Sequence, residues 1–237
     1  MVWWEEMFEL PSWQGVQLGW ESVEDAEHQV DEIVRALRLE PGDRVLDVPC
    51  GTGRVATRLV SRGYDVVGVD ITERFLEVAR SAGLTVRHGD MRELPFTEEF
   101  DAAICMWGSF GYFDDDGNLA QAKAAARSLK PGGRYLIDTP SLETIYPHFR
   151  DKTWFEVGGT TILLDTSFRV DEGRVETAWT FLRGEERHTQ RSSIRVYTLH
   201  ELTDLLRDAG FTTFEARDDE LGGFEIGSSR LWLVATR

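Results

Sequence analysis

The sequence predicts an α/β protein with a mainly parallel sheet and a smaller antiparallel sheet. From Arg44 to Asp138, short apolar runs of strand length alternate with helical stretches, which is typical of a parallel sheet with right-handed crossovers. The runs are apolar on both faces, as a sheet covered by helices on both sides requires. After Pro140 this alternation stops and longer strand-like stretches follow one another, which favours antiparallel pairing.

The elements of the parallel part are delimited by residues typical of helix ends. Ser22 predicts the start of the first helix, and the Pro-Gly pair at 41–42 its end. A glycine turn at 51–53 leads into the second helix, Thr72 caps the third, and an alanine-rich helix spans 119–129. Between them lie the predicted strands Arg44–Val48, Asp65–Asp70, Thr85–His88, Asp101–Met106 and Arg134–Asp138.

The part after Pro140 predicts an insertion followed by two closing strands. A capping box formed by Thr198 and Glu201 opens the last helix. The predicted organisation is therefore an N-terminal aromatic segment (1–21), a main domain (22–145 and 199–237) and an antiparallel insertion (146–198). The strand-like stretches behind this division are Thr160–Val170, Arg174–Leu182, His188–Tyr197, Phe211–Arg217 and Leu231–Thr236.

Composition and charge exclude several classes of function. The 237 residues carry 26 Lys and Arg against 42 Asp and Glu, a net charge of −16, which argues against nucleic acid as the partner. Two cysteines are too few for a disulfide scaffold or a four-cysteine zinc site, and no metal-ligand spacing is visible. No apolar run is long enough to span a membrane, and the acidic first ten residues do not resemble a secretory signal, so we expect a cytoplasmic protein.

A glycine-rich loop predicts a nucleotide-like ligand. Gly51 and Gly53 follow the first strand and open a helix, and Ala56 completes a loose dinucleotide-binding pattern. Asp70 ends the next strand, where a carboxylate can accept hydrogen bonds from both hydroxyls of an adenosine ribose. These residues alone leave three alternatives open: a nicotinamide cofactor, another adenosine ligand, or a tight turn without a ligand.

Two further carboxylates favour an adenosine ligand that carries an ammonium group. Asp47 precedes the glycine loop, where a phosphate would gain nothing from a negative neighbour but a cation would. Asp90 follows the third strand and could accept a hydrogen bond from an adenine amino group, with Met91 packed on the ring. The chain also ends in two strands after one helix, and not in a second nucleotide-binding half.

In order and spacing these motifs resemble those of the class I S-adenosylmethionine-dependent methyltransferases. They are Leu-Asp-Val-Pro-Cys-Gly-Thr-Gly at 46–53, Gly-Val-Asp at 68–70, Gly-Asp-Met at 89–91 and Leu-Lys-Pro-Gly-Gly at 129–133. The resemblance implies a Rossmann-like, doubly wound sheet of seven strands whose last strand is antiparallel. Around 106–112 the chain is similar to amino-sugar N-methyltransferases, which are small-molecule enzymes with an antiparallel insertion after the fifth strand.

The resemblance also implies a cofactor, a reaction and a set of binding residues. The cofactor is S-adenosyl-L-methionine, and the reaction is direct displacement of its methyl group onto an acceptor, expected here to be an N or O atom of a small molecule. The methionine end is expected at the first motif, the ribose at the second and the adenine at the third. The implied cofactor contacts are Asp47, Gly51, Gly53, Asp70, Ile71, Asp90, Met91 and Met106.

The acceptor is expected beyond the carboxyl end of the fourth strand. Trp107, Phe110 and Tyr112 leave the strand there and are predicted to line the acceptor pocket. His148, after the fifth strand, and Tyr112 are the candidates for a catalytic role, and a base is needed only if the acceptor must lose a proton. Half of the eight tryptophans lie in the first 20 residues, which predicts an aromatic lid or, alternatively, simple docking of this segment on the core.

Three alternative functions remain open from the sequence. A methyltransferase could act on protein or RNA, although the negative charge disfavours RNA. A nicotinamide-dependent oxidoreductase is disfavoured by Asp47 and by the closing pair of strands. A non-catalytic binding subunit is disfavoured because the glycine loop and Asp70 are intact. The oligomeric state is also open, a homodimer included.

Overall fold

The computed structural model describes residues 2–11, 13 and 23–237. Ser22, the predicted helix cap, and Trp20 of the N-terminal aromatic segment lie outside the described residues. Within the described part, the chain forms a seven-stranded sheet and a separate four-stranded sheet. This confirms the predicted fold class, including the antiparallel sheet inserted after the fifth strand.

The strands and helices are numbered here in chain order. The strands are β1 (Arg44–Asp47), β2 (Asp65–Asp70), β3 (Thr85–His88), β4 (Phe100–Cys105), β5 (Leu129–Thr139), β6 (Lys152–Val157), β7 (Thr160–Arg169), β8 (Arg174–Arg183), β9 (Glu186–Arg195), β10 (Thr213–Arg217) and β11 (Leu231–Thr236). The helices are α1 (Trp3–Glu9), α2 (Val23–Leu37), α3 (Arg54–Ser61), α4 (Glu73–Ser81), α5 (Asp115–Ser128), α6 (Leu142–Ile145) and α7 (Leu199–Asp208), and a 3-10 turn spans Tyr146–His148.

The main sheet has the strand order β10-β11-β5-β4-β1-β2-β3. Strands β1 to β5 are parallel, and β11 pairs antiparallel with both β5 and β10. Successive side chains of a strand point to opposite faces, so each face carries its own core. Val45 packs with apolar residues of α2, α3 and α4, whereas its neighbour Leu46 packs with residues of α5 and α7.

Most strand ends lie within two residues of the prediction, but β5 and β6 depart further from it. β5 begins at Leu129, five residues before the predicted start at Arg134. The Lys-Pro-Gly-Gly segment extends the strand because an irregularity between Phe100 and Ala102 in the pairing with β4 accommodates it. β6 was not among the predicted strands, since its half-polar sequence is mostly exposed at the edge of the second sheet.

The N-terminal helix packs on the second sheet, whose four strands follow one another in the order β6-β7-β8-β9. Met7 of α1 forms a small core with Ile162 and Phe181, and all three side chains are almost fully buried. A hydrogen bond from Gln190 Nε2 to Glu6 Oε2 (2.8 Å) adds a polar contact. Among the described helices, none is long and apolar enough to cross a membrane.

Candidate active site

A cavity of about 760 Å³ lies at the carboxyl edge of the main sheet. Parallel strands deliver their carboxyl ends to one edge, so residues that follow β1, β2, β4 and β5 meet there. The N-terminal helix and strands β8 and β9 supply the remaining walls. The predicted site residues that line the cavity are Asp47, Gly51, Asp70, Ile71, Asp90, Met91, Met106, Trp107 and Tyr112.

The two glycines of the loop have different structural roles. Both have positive φ angles (53° at Gly51 and 82° at Gly53). A Cβ at Gly53 would lie 2.2 Å from Leu84 Cδ1, so this glycine allows α3 to pack, and it does not line the cavity. A Cβ at Gly51 would meet nothing within 4 Å, and this glycine does line the cavity. Gly51 therefore leaves the backbone open to a ligand.

Asp70 is held by the backbone of both flanking loops. Its Oδ2 accepts a hydrogen bond from the Gly51 N–H and its Oδ1 from the Thr72 N–H, each at 2.8 Å. Burial raises its pKa, although these backbone hydrogen bonds act in the opposite direction. Each carboxylate oxygen can accept two hydrogen bonds, so Asp70 retains the capacity to bind two further donors.

Asp47 is a buried carboxylate without a counter-charge. The residue is 3% exposed, and no cation or hydrogen-bond donor of the described residues contacts its carboxylate. Burial raises the pKa of Asp47 well above its usual value, and the negative charge of Asp70 raises it further. A buried charge is costly unless it is paired. The site at Asp47 therefore fits a cationic group of a ligand.

Asp90 is already paired with a cation. Arg92 donates from Nε to both carboxylate oxygens (3.0 and 3.1 Å) and from its backbone N–H to Oδ1 (2.8 Å). Burial alone would raise the pKa of Asp90, but the hydrogen bonds from Arg92 outweigh it and the pKa is lowered. Asp90 thus stays ionised and is held rigidly beside Met91, whose side chain is partly buried against the core.

The loop after β4 turns sharply at Trp107. This residue has a φ angle of +64°, an unusual conformation for a bulky side chain. The Trp107 N–H donates to Asp138 Oδ2 (3.0 Å), and its ring is 44% exposed. The guanidinium carbons of Arg54 and Arg230 lie 4.4 and 5.5 Å from the ring centroid. Strain of this kind is often found at functional sites.

Asp138 and Arg230 support this loop, and the sequence reasoning missed both. Asp138 is fully buried at the end of β5, and two nitrogens of Arg230 donate to its two oxygens at 2.7 Å each. An acidic residue that ends an apolar strand was the signal that identified Asp47 and Asp70, so it could also have identified Asp138. Arg230 lies in the loop before β11 and carried no such signal.

An aromatic wall bounds the cavity beside Tyr112. We define it as Trp3, Trp4, Phe8, Tyr112 and Phe113, all of which line the cavity. The ring centroids of Trp3, Trp4 and Phe8 lie 4.9, 6.2 and 6.1 Å from that of Tyr112. Burial raises the pKa of Tyr112, so its hydroxyl is neutral at physiological pH.

Besides Gly53, two predicted site residues lie outside the cavity. Phe110 is fully buried in the core, with its ring 6.1 Å from that of Tyr197, because the loop directs its side chain under the sheet edge and not into the cavity. His148 is exposed, and its Nε2 lies 3.2 Å from the carbonyl oxygen of Gly227. The helical turn after β5 carries it to the surface, so the structure does not support it as a base. Among the described residues that line the cavity, none is a histidine.

The described residues contain no cluster of three or more His, Cys, Asp or Glu side chains that could hold a metal ion. The polar groups of the cavity instead match S-adenosylmethionine, whose ammonium and sulfonium groups are cationic and whose ribose carries two hydroxyl donors. The unpaired carboxylate of Asp47 suits a cationic group, and the remaining acceptor capacity of Asp70 suits the ribose hydroxyls.

Comparison with known proteins identifies the family to which this protein belongs. The family described as "Methyltransferase domain" matches residues 45–133. YqeM of Bacillus subtilis (strain 168), a protein provisionally named a methyltransferase, is 30% identical over 189 residues, which cover 71% of this chain and 73% of YqeM. Demethylmenaquinone methyltransferase of Symbiobacterium thermophilum is 31% identical over 217 residues, with coverages of 84% and 81%.

Relatives that act on amino sugars also match. The dTDP-3-amino-3,6-dideoxy-alpha-D-glucopyranose N,N-dimethyltransferase of Streptomyces fradiae is 27% identical over 177 residues, covering 71% of this chain and 69% of that enzyme. The structure of CalS10 with bound S-adenosylmethionine, an amino pentose methyltransferase from Micromonospora echinaspora, superimposes with a TM-score of 0.67 at 23% identity and covers 90% of each chain.

The fold and the site thus define a methyltransferase. The chain belongs to the S-adenosylmethionine-dependent methyltransferases, and S-adenosylmethionine is its cofactor. This membership removes the alternative of a nicotinamide-dependent oxidoreductase, which the glycine loop by itself had left open.

Proposed function

We propose that this enzyme methylates an amine nitrogen of a small molecule. The single observation that carries the proposal is the cavity itself, which combines an unpaired buried carboxylate with a wall of aromatic rings under the N-terminal helix. Of the two acceptor atoms expected from the sequence, nitrogen is favoured. A hydroxyl acceptor needs a group that takes its proton, and no histidine lines the cavity, whereas a neutral amine already presents its lone pair.

The cofactor would be held by the carboxylates and by the glycine loop. Bound S-adenosylmethionine supplies an electrophilic methyl group on a positively charged sulfur. In our assignment Asp47 holds the ammonium group, and the open backbone at Gly51 accommodates the methionine end near Met106. Asp70 accepts from the ribose hydroxyls beside Ile71.

The adenine would lie at Asp90 and Met91. Both residues line the cavity, and Met91 offers an apolar surface on which a ring can pack. Because Arg92 occupies most of the acceptor capacity of the Asp90 carboxylate, this residue would contribute at most one hydrogen bond to the adenine amino group.

The acceptor would be held by the aromatic wall. Transfer from water into an apolar cavity lowers the pKa of an amine, which increases its neutral, reactive fraction. Aromatic faces stabilise the positive charge that develops on the nitrogen as it gains a methyl group. The neutral hydroxyl of Tyr112 can orient the acceptor through a hydrogen bond, without serving as a base.

The N-terminal segment and the insertion would complete the acceptor site. From the described part of segment 1–21, Trp3, Trp4, Phe8 and Trp13 line the cavity. From the insertion, strands β8 and β9 contribute Trp179, Ser192 and Ile194. This proposal therefore includes the predicted aromatic lid and the predicted division of the chain into a main domain and an insertion.

The relatives support a small acceptor but name two chemistries. The Streptomyces fradiae enzyme and CalS10 are named as methyltransferases of amino sugars, whereas the Symbiobacterium enzyme acts on demethylmenaquinone. The aromatic wall and the lack of a histidine base in the cavity favour the amine.

A labelled methyl group tests the proposal. The purified protein is incubated with S-adenosylmethionine carrying a labelled methyl group and a desalted lysate separated into small-molecule and macromolecule fractions. We expect label in a small molecule that mass spectrometry identifies as an N-methylated amine, and much less label at the same cofactor concentration with the Asp47→Asn variant. Label in protein or RNA would contradict the substrate class. A product methylated on carbon or oxygen would contradict the acceptor atom.

A further inference from the structure

We propose that Arg174 is a positioning residue that holds the acceptor side of the cavity in shape through the backbone of Tyr112 and Phe113. The inference rests on the proposed function, because it assumes that these two residues contact the acceptor. Arg174 begins strand β8 of the insertion and does not itself line the cavity.

Three consecutive carbonyl oxygens of the loop after β4 accept hydrogen bonds from the second sheet. Gly111 O accepts from the backbone N–H of Arg195 at 2.8 Å. The guanidinium of Arg174 donates to the next two carbonyl oxygens, from Nη2 to Tyr112 O at 3.4 Å and from Nη1 to Phe113 O at 2.9 Å. The main sheet and the insertion are therefore joined at the segment whose side chains form the aromatic wall.

The same guanidinium is anchored on strand β9. Arg174 Nε donates to Ser193 Oγ at 2.8 Å, and Nη2 donates to Ser193 O at 2.7 Å. The residues on either side of Ser193, Ser192 and Ile194, line the cavity. The side chain of Arg174 therefore links the β9 wall of the cavity to the loop after β4. A planar guanidinium presents its donors in a fixed fork, which an ammonium group cannot reproduce.

The pattern of partners indicates positioning and not an ordinary surface ion pair. Within the described residues, no carboxylate oxygen lies within 4.0 Å of a guanidinium nitrogen of Arg174. Its hydrogen-bond partners among the described residues are neutral oxygens of the loop and of Ser193. A half-buried cation that donates only to carbonyl and hydroxyl oxygens fixes their positions, because moving them would leave the charge unsolvated.

The loop is also braced from its other side. Asn118 of α5 accepts from the Phe113 N–H at 3.3 Å and donates to Phe113 O at 3.1 Å. At Gly111, a Cβ would lie 2.2 Å from Arg195 O, so only glycine permits this approach of the two backbones. Gly111 and Phe113 are thus also held by other groups, and the carbonyl of Tyr112 between them accepts from Arg174.

The chain offers a matched control for the test. Arg169 lies directly across from Arg174 in the β7–β8 hairpin. Its guanidinium forms ion pairs with the exposed acids Asp171, Glu172 and Glu176 and contacts none of the cavity loop. Arg169→Met therefore removes an arginine of the same hairpin without touching the loop after β4.

The experiment compares Arg174→Met, Arg174→Lys and Arg169→Met. Steady-state kinetics with the acceptor identified by the labelling experiment should show a KM for the acceptor raised about 10- to 100-fold in Arg174→Met, since small displacements in a site have effects of this size. The Kd for S-adenosylmethionine, measured by calorimetry, should change less than about twofold, because the three carboxylates assigned to the cofactor lie on other loops. Arg174→Lys should restore the melting temperature but not the KM.

Hydrogen–deuterium exchange makes the test independent of the acceptor. Peptides that cover residues 109–114 should exchange faster in Arg174→Met than in the unaltered protein or in Arg169→Met. If no small-molecule acceptor exists, the proposed function fails, but this measurement still tests whether Arg174 holds the loop after β4. Unchanged exchange at 109–114, an equal change of KM in Arg169→Met, or a parallel loss of cofactor affinity would each overturn the proposal.

Discussion

The carboxylates of the cavity and its aromatic wall are assembled in different ways. Asp47, Asp70 and Asp90 all lie within 44 residues of one another and follow successive strands of one parallel sheet. The aromatic wall combines side chains of α1 with those of the loop after β4, more than 100 residues away in the chain. The first set is encoded locally, whereas the second exists only when distant segments pack together.

The two sets of residues should therefore respond differently to substitution. The carboxylates lie at or just after the ends of β1, β2 and β3, so a change there should act on cofactor binding and not on the KM for the acceptor. The aromatic wall depends on contacts between side chains and between sheets, so a change there should act on the acceptor and leave the cofactor unaffected. Five predictions, in order of decreasing effect, test this contrast.

Asp70→Ala is expected to have the largest effect. It would remove two charge-assisted hydrogen bonds to the ribose, each worth about 1.5–3 kcal/mol, so the Kd for S-adenosylmethionine should rise by about 100-fold or more. Calorimetric titration measures this. Asp65→Ala is the control, because Asp65 lies exposed at the other end of β2. A Kd equal to that of the unaltered protein would refute the placement of the ribose at Asp70.

Asp47→Asn should weaken cofactor binding but stabilise the protein without cofactor. The Kd should rise by about 10- to 100-fold, because a buried attraction for the ammonium group is lost. Removal of an unpaired buried charge beside Asp70 should raise the free energy of unfolding by about 1 kcal/mol, or the melting temperature by about 2–4 °C. A melting temperature lower than that of the unaltered protein would indicate that Asp47 has a partner in the protein itself.

The raised pKa of Asp47 also gives cofactor binding a pH dependence. A protonated carboxyl does not attract a cation, so affinity should fall as pH decreases through this pKa, and Asp47→Asn should flatten the profile. Without cofactor the sign is opposite. The folded protein holds this proton more tightly than the unfolded chain, so the stability contributed by Asp47 is present at low pH and is lost as pH rises through its folded-state pKa.

Trp4→Leu should separate the two halves of the site. Loss of one aromatic face beside Tyr112 should raise the KM for the acceptor by about 5- to 30-fold, the equivalent of 1–2 kcal/mol of cation–π stabilisation, with the Kd for S-adenosylmethionine unchanged. Trp154→Leu is the control, since Trp154 is 65% exposed on the second sheet and outside the cavity. Equal effects of the two substitutions would argue that the N-terminal helix merely docks on the core.

His148→Ala should have the smallest effect. His148 is exposed and outside the cavity, so turnover, acceptor KM and melting temperature should all stay within about twofold or about 1 °C of the unaltered protein, as for most surface changes. A large decrease in kcat would show that His148 reaches the cavity in a conformation other than the one described.

Much of the fold followed from patterns that are short in sequence. Apolar runs of strand length, separated by capped helices, are sufficient to predict a parallel sheet, because each βα unit is stabilised by its own local packing. The start of β5 and the presence of β6 were not predicted. In both, the decisive interaction is pairing with another strand, which leaves little trace in the sequence of the strand itself.

The same contrast between local pattern and distant contacts applies to the site residues. Acids that end strands were predictable because parallel strands bring their carboxyl ends to one edge of the sheet. Phe110 and Tyr112 could not be distinguished, since a loop has no periodicity that says which of two aromatic residues turns inward to the core. His148 was drawn toward the site by its position after β5, but the helical turn at Tyr146–His148 carries it to the surface.

Patterns in the sequence are sufficient to predict the class of fold and the positions of the strand-end carboxylates and of Gly51, because these depend on local periodicity and on the ends of strands. The contacts of Arg230 with Asp138, of α1 with the cavity and of Arg174 with the loop after β4 are visible only in the folded structure. These contacts join residues that are about 60 to more than 150 positions apart, and their partners are selected by packing and geometry in three dimensions, which no short pattern in the chain records.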